Sequence, residues 1–378
     1  MRAKLSPEIQ NNNITNNNGI ETFVASILRP EVLSLSAYHV PDSTGLIKLD
    51  AMENPYAWPE EMIAEWLKQL HNAKINRYPD PSSDRLKQAL RVANNLPETA
   101  GLMIGNGSDE LIQIILMGVA GDDAVVLSPE PTFVMYRQIA MGLGLRFIGV
   151  KLNEEDFSLD MATLSAAIVK NSPKVIFLAY PNNPTGNAFS GEDMLEILRI
   201  APGLVVVDEA YAPFADASFM PKLLEFPNLL VMRTLSKLGL AGLRLGYLAG
   251  HPAWISQLDK LRLPYNINVL TQQTVEFALA NQSVFDGQIK QIRSDRSLLA
   301  SRLERLPVKV FPSQANFISF KLLEKEANDV FSKLKNKGVL IKNLTPSGGP
   351  LLNCLRVTVG TPLENQLFID ALAEILRS

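Results

Sequence analysis

Apolar residues along the chain fall into two kinds of pattern. In DRLKQALRVANN, Leu86, Leu90 and Ala93 recur at the spacing of one helix face, with polar residues between them. SDELIQIILMGVA reads as a second helix, with Ser108 or Asp109 as its cap and Glu110 in its first turn. Short unbroken apolar runs stand at residues 124–128, 146–150, 174–180, 204–210 and 229–234. Runs of that kind predict strands buried on both faces. Helical stretches such as MATLSAAIVK and GEDMLEILRI lie between them. The alternation predicts a mainly parallel α/β sheet flanked by helices.

The pattern changes toward the end of the chain. FISFKL and CLRVTVG read as strands, and EANDVFSKLKNKG and ENQLFIDALAEILRS read as amphipathic helices. This predicts a smaller α+β domain over 281–378, joined by part of an N-terminal arm over 1–45, with the large domain at 46–280. There is no internal repeat. The low-complexity run NNNITNNNG is read as a weakly ordered arm.

Composition narrows the function. The 378 residues carry 36 Lys+Arg against 39 Asp+Glu, a net charge of -3, which argues against nucleic-acid binding by bulk electrostatics. The single cysteine, Cys354, leaves no intramolecular disulfide or multi-cysteine metal site. The three histidines, His39, His71 and His251, lack HExxH spacing, and no GxSxG elbow occurs. No apolar run approaches the roughly 20 residues of a membrane span, and the first residues do not form the basic-then-apolar pattern expected of a signal peptide. An intracellular, cytoplasmic protein is the simple expectation.

Polar residues cluster where the expected strands end: Asn182 and Asn183, then Asp208 and Tyr211, then Ser236 and Lys237. Ligands in open α/β sheets bind at that edge. A lysine taken alone is usually a solvated surface group. Lys237, among apolar neighbours with Arg244 nearby, is instead a candidate amine of lowered pKa that attacks a carbonyl. The turn with Gly239, Gly242 and Arg244 suits an anion such as phosphate. Asp208 either caps the next element or keeps a pyridinium nitrogen protonated. Asn183 and Tyr211 are candidates for a ring oxygen, the bland alternatives being a loop residue and a core tyrosine. GNGSDE lacks the third glycine of a dinucleotide fingerprint, yet it sets a glycine turn before a helix N-terminus, where N–H groups favour phosphate. Phe133 either stacks on a flat ring or joins the core.

In their order and spacing, GNGSDE, PTFVMY, YPNNPTG, VVVDEAY, TLSK and AGLRLGY resemble the fold-type-I aminotransferases that use pyridoxal 5'-phosphate. The resemblance covers nearly the whole chain and implies a seven-stranded, mainly parallel sheet. KLDAMENPY, RYPDP and LRVTVGTPLEN are similar to the histidinol-phosphate aminotransferase family. The resemblance implies Lys237 as the Schiff-base lysine, Asp208 at the pyridine nitrogen, Asn183 and Tyr211 at the ring oxygen, and Phe133 on the ring face. It gives the phosphate to Ser236, Arg244 and the backbone at Ser108 and Asp109, with Tyr78 reaching in from the second subunit of a homodimer. Arg356 would grip an anionic substrate group, and Asn316 and Tyr38 would line the substrate pocket. The implied substrates are small molecules, L-histidinol phosphate with 2-oxoglutarate or glutamate, in histidine biosynthesis.

Two departures from that family stand out. Met52 occupies a position where asparagine is common, and the Lys237–Arg244 loop is one residue shorter than in many relatives. Rival readings are an aromatic or broad-range aminotransferase, a lyase similar to threonine-phosphate decarboxylase, and a catalytically silent binding module.

Overall fold

The computed structural model of the chain describes residues 17–37 and 40–377. In chain order the strands begin with β1 (Ile47–Lys48), β2 (Gly101–Gly105), β3 (Val125–Glu130) and β4 (Arg146–Lys151). They continue with β5 (Val175–Ala179), β6 (Leu204–Asp208), β7 (Leu229–Thr234) and β8 (Gly246–Gly250). The last are β9 (Val308–Val310), β10 (Phe317–Leu322), β11 (Val339–Leu340), β12 (Lys342–Asn343) and β13 (Cys354–Thr358).

Seven strands form one sheet in the order β2-β8-β7-β6-β5-β3-β4. Its members run parallel except β8, which is antiparallel to both β2 and β7. Adjacent residues feed opposite faces. Leu127, Ile176, Leu178, Val205 and Val207 enter one core, while Val126, Val175, Phe177 and Val206 enter another. That is why the sequence shows unbroken apolar runs: neither face meets water. Fully burying one such side chain stabilises the fold by about 1.5–3 kcal/mol.

The expectation of two-sided burial fails for β4. It is an edge strand, with Arg146 and Lys151 exposed and Val150 buried. β2 and β8 are not among the expected strands; each is a five-residue run that begins and ends with glycine.

The second sheet, β12-β13-β10-β9, is antiparallel. With Ala327–Asn336 and Pro362–Arg377 it encloses a third core containing Phe317, Phe320 and Phe368. Leu49, beside β1, joins that core, so chain from before the large sheet packs with the C-terminal part. Part of the asparagine-rich run is helical, within Asn17–Ile27, and the rest lies outside the described residues. Among the described residues no helix is long and apolar enough to cross a membrane. Cys354 is buried, and burial pushes its thiol up to about 11, so it is not a reactive thiolate.

Candidate active site

β3 and β5 are neighbours in space although β4 lies between them in sequence. The strand order reverses there, and the crevice beyond the carboxyl ends of such strands is where α/β sheets bind ligands. A cavity of about 380 Å³ occupies this edge, with Lys237, Asp208, Asn183 and Tyr211 in its wall. Ser108, Asp109, Phe133, Ser236 and Arg244 complete the cluster of expected residues.

Lys237 sits in the short 3-10 turn Ser236–Leu238 that follows β7. Its Nζ donates to the carbonyl of Ala51 at 3.2 Å and lies 5.8 Å from the centre of the Tyr211 ring. Burial first, then the cation of Arg356, lowers its pKa from 10.5 to about 8, against the opposing pull of Glu53. At neutral pH a useful fraction is therefore the free, nucleophilic amine.

Asp208 ends β6 and is 3% exposed. Oδ2 accepts from the Tyr136 hydroxyl at 2.6 Å and Oδ1 from the Ala210 N–H at 3.1 Å. Burial pushes the carboxyl up to about 6 despite both donors, with Asp109 and Glu209 adding to the rise. Glu209, the next residue, takes another route: it pairs with Arg233 at 2.6 Å and accepts from the Ser218 hydroxyl. Alternation along an extended chain thus sends one acid to the cavity and its neighbour to a structural ion pair.

The two asparagines of PNNPTG also divide. Asn182 is consumed in the loop, accepting from Thr132 at 2.8 Å and donating to Pro131 O at 2.9 Å. Asn183 lines the cavity, and its Oδ1 accepts from Arg356 Nη1 at 2.5 Å. Arg356 is buried against the cavity wall at Asn183, with Nη2 on the Asp50 carbonyl at 2.8 Å and its guanidinium 5.1 Å from the Phe317 ring centre. Asn316 is likewise buried against the wall, donating to Met52 O at 2.9 Å. Met52 itself lines the cavity with φ +54°, a left-handed conformation that asparagine tolerates better than methionine. Its N–H donates to Thr358 Oγ1 at 2.9 Å, and this with the Asn316 bond holds the conformation.

The helix Ser108–Val119 starts at the cavity, but its cap position is Gly107, not Ser108 or Asp109. Ser108 and Asp109 belong to the first turn, so their backbone N–H groups are among those a helix leaves unpaired within itself. Gly107, at φ +85°, lets Arg244 approach: a Cβ there would lie 2.7 Å from Nη2. Arg244 adopts φ +50°, which turns its side chain back across the short loop to Asp109 Oδ2 at 3.2 Å. The loop between them thus delivers Arg244 to the same cavity as Lys237.

Tyr78 lies away from this cavity, 81% exposed and stacked on Tyr265 at 4.5 Å. Tyr38 lies outside the described residues. Sequence reasoning gave no role to Tyr136, which is fully buried against Asp208, or to Lys342. Lys342 on β12 stands opposite Arg356 on β13. Burial and that neighbouring cation lower its pKa, while Asp50 opposes.

The donor set suits a flat, phosphorylated aldehyde. A buried carboxylate that is costly to ionise calls for a cationic partner, and a helix start with an arginine calls for an anion. An amine of lowered pKa faces the same cavity. Residues 44–372 match the model of the family described as aminotransferase class I and II. The chain belongs to that family. Histidinol-phosphate aminotransferase 2 of Nitrosococcus oceani is 55% identical over 350 residues, covering 92% of this chain and 97% of that one. Histidinol-phosphate aminotransferase 1 of Ralstonia nicotianae is 48% identical over 364 residues, covering 95% and 96%. Among solved structures, histidinol-phosphate aminotransferase from Sinorhizobium meliloti in complex with pyridoxal-5'-phosphate aligns with a TM-score of 0.83 at 24% identity, covering 93% of this chain and 98% of that one. L-threonine-O-3-phosphate decarboxylase from Porphyromonas gingivalis aligns at 0.74 and 22% identity, covering 87% and 99%. At these identities the structural likeness speaks for the fold alone.

Proposed function

We propose that this chain is a pyridoxal 5'-phosphate-dependent histidinol-phosphate aminotransferase. It interconverts L-histidinol phosphate and 2-oxoglutarate with imidazole-acetol phosphate and L-glutamate, as a step of histidine biosynthesis. The observation that carries this reading is the convergence of Lys237, Asp208, Asn183, Tyr211 and Arg244 on one cavity. The similarity to aminotransferases of that name supports the substrate.

When bound, the cofactor supplies an electron sink for the bonds at the substrate's α-carbon. Lys237 Nζ holds the cofactor and carries the proton taken from that carbon. Asp208, anionic against a cation, keeps the ring nitrogen protonated. Asn183 and Tyr211 hydrogen-bond the ring oxygen, and Phe133 covers a ring face. Ser236, Arg244 and the N–H groups of Ser108 and Asp109 hold the phosphate. Arg356 binds the anionic group of the substrate, and Asn316 and Tyr38 shape the pocket. The working unit is a cytoplasmic homodimer in which Tyr78 serves the neighbour's phosphate. The chain divides functionally into an arm over 1–45, a cofactor domain over 46–280 and a small domain over 281–378.

The test is a visible spectrum of the cofactor-loaded protein before and after L-histidinol phosphate, with no acceptor present. Loss of the lysine-bound cofactor band, restored by 2-oxoglutarate, is the expected result. A band that answers another amino acid instead discards the substrate, and carbon dioxide release without an acceptor points to a lyase.

A further inference from the structure

Tyr136 is the second residue of the helix Met135–Gly142 and is fully buried. It touches two residues that line the cavity without lining it itself. Its hydroxyl donates to Asp208 Oδ2 at 2.6 Å. Its ring meets Phe133 edge to face, 5.5 Å between centres and 83° between planes. The Tyr136 ring also stacks on Phe177 of β5, at 4.6 Å between centres and 9° between planes. Edge-to-face and stacked contacts of this kind fix ring orientation.

We propose that Tyr136 is a positioning residue, whose hydroxyl aims the Asp208 carboxylate and whose ring sets Phe133, so that one buried side chain governs two of the protein's contacts to the cofactor ring. The inference rests on the cofactor reading above. Asp208 is faced by the Tyr136 hydroxyl and the Ala210 N–H, which favour its anion, and by Asp109 and Glu209, which oppose it. The phenol of Tyr136 is raised well above 10 by burial and by Asp208, so it stays a donor at every working pH. Deleting that donor leaves burial and two anions against a single N–H. The carboxyl then takes up its proton at higher pH, and a neutral acid cannot hold the ring nitrogen protonated.

Tyr136→Phe keeps both ring contacts and removes the hydroxyl. In this variant the dissociation constant of pyridoxal 5'-phosphate should rise about tenfold at pH 7, with the gap from wild type widening toward pH 6. The acid limb of kcat should move up by about one pH unit. In an Asp208→Asn background the same change should have less than about a twofold effect, because its route is gone. Phe177→Leu, which loosens the ring and spares the hydroxyl, should lower the melting temperature and leave the acid limb where it was. The proposal fails if Tyr136→Phe keeps the wild-type affinity and pH profile, or if its effect persists undiminished in Asp208→Asn. It also fails if Phe177→Leu moves the acid limb as far, since packing alone would then explain the shift. A wild-type protein that binds no pyridoxal 5'-phosphate overturns the cofactor reading instead.

Discussion

Arg356 donates to Oδ1 of Asn183 at 2.5 Å, which ties the residue proposed to bind the substrate's anion to one proposed to meet the cofactor ring. The same guanidinium spans to the Asp50 carbonyl and leaves Lys342 opposite it on the paired strand. A planar fork can satisfy both partners at once, whereas an ammonium is a point charge. Arg356→Lys is therefore expected to lower kcat/KM for glutamate at least about 100-fold, matching the roughly 2–5 kcal/mol lost when a buried, hydrogen-bonded charge is disrupted. Steady-state kinetics should show KM rising and kcat falling together. A rise in KM alone would mean that the link to Asn183 carries no catalytic weight.

Lys237 gives the folded protein a pH dependence of known sign. Its pKa falls from 10.5 to about 8 on folding, so between those values the unfolded chain binds more protons and stability rises with pH. Below pH 8 the buried charge costs the fold of the order of 3 kcal/mol. Lys237→Met, prepared without cofactor, should therefore be more stable than wild type at pH 7, and the advantage should shrink as pH rises toward 10. Urea unfolding at both pH values measures this, and an advantage that does not change with pH would refute it.

Asp208 behaves in the opposite sense. Its pKa rises from 3.8 to about 6, so the folded state holds a proton that the unfolded chain releases between those values. Stability from this group is present in full below pH 3.8 and is lost as pH rises through 6. In protein prepared without cofactor, Asp208→Asn should gain of the order of 3 kcal/mol at pH 7. The loaded variant should lose about 10²–10³-fold in kcat, the usual scale for removing one aimed electrostatic partner. Stability and activity moving in opposite directions would mark Asp208 as a residue kept for chemistry.

The sequence made the parallel strands legible because β3, β5, β6 and β7 are buried on both faces and show it as unbroken apolar runs. β4 has a similar run, yet it lies at an edge, and nothing in RFIGV encodes which strand ends the sheet. The cavity residues were legible because they follow strand ends and carry motif order. Tyr136 and Lys342 were not, since their meaning comes from Asp208 and Arg356, residues 72 positions away along the chain for the first and across a strand pair for the second. Gly107 displaced Ser108 and Asp109 as the cap for a related reason: the close approach of Arg244 demands a residue without a side chain. Local pattern cannot show a contact 137 positions on.

Tyr78 is 81% exposed, lies outside the cavity of its own chain and stacks on Tyr265, near the exposed side chains of Ile75 and Leu263 in sequence. If it completes the neighbour's site, defects in Tyr78 and Lys237 belong to different sites of a dimer. Lys237→Ala and Tyr78→Ala chains should each be impaired as homodimers, the first abolishing turnover. In a mixed dimer of the two, one site carries both defects and the other carries neither. Unfolding and refolding an equimolar mixture should therefore restore turnover that the parents lack, with the cofactor affinity of the intact site equal to wild type. A mixture no more active than the sum of its parents would place Tyr78 in the service of its own chain, since every site would then keep one defect.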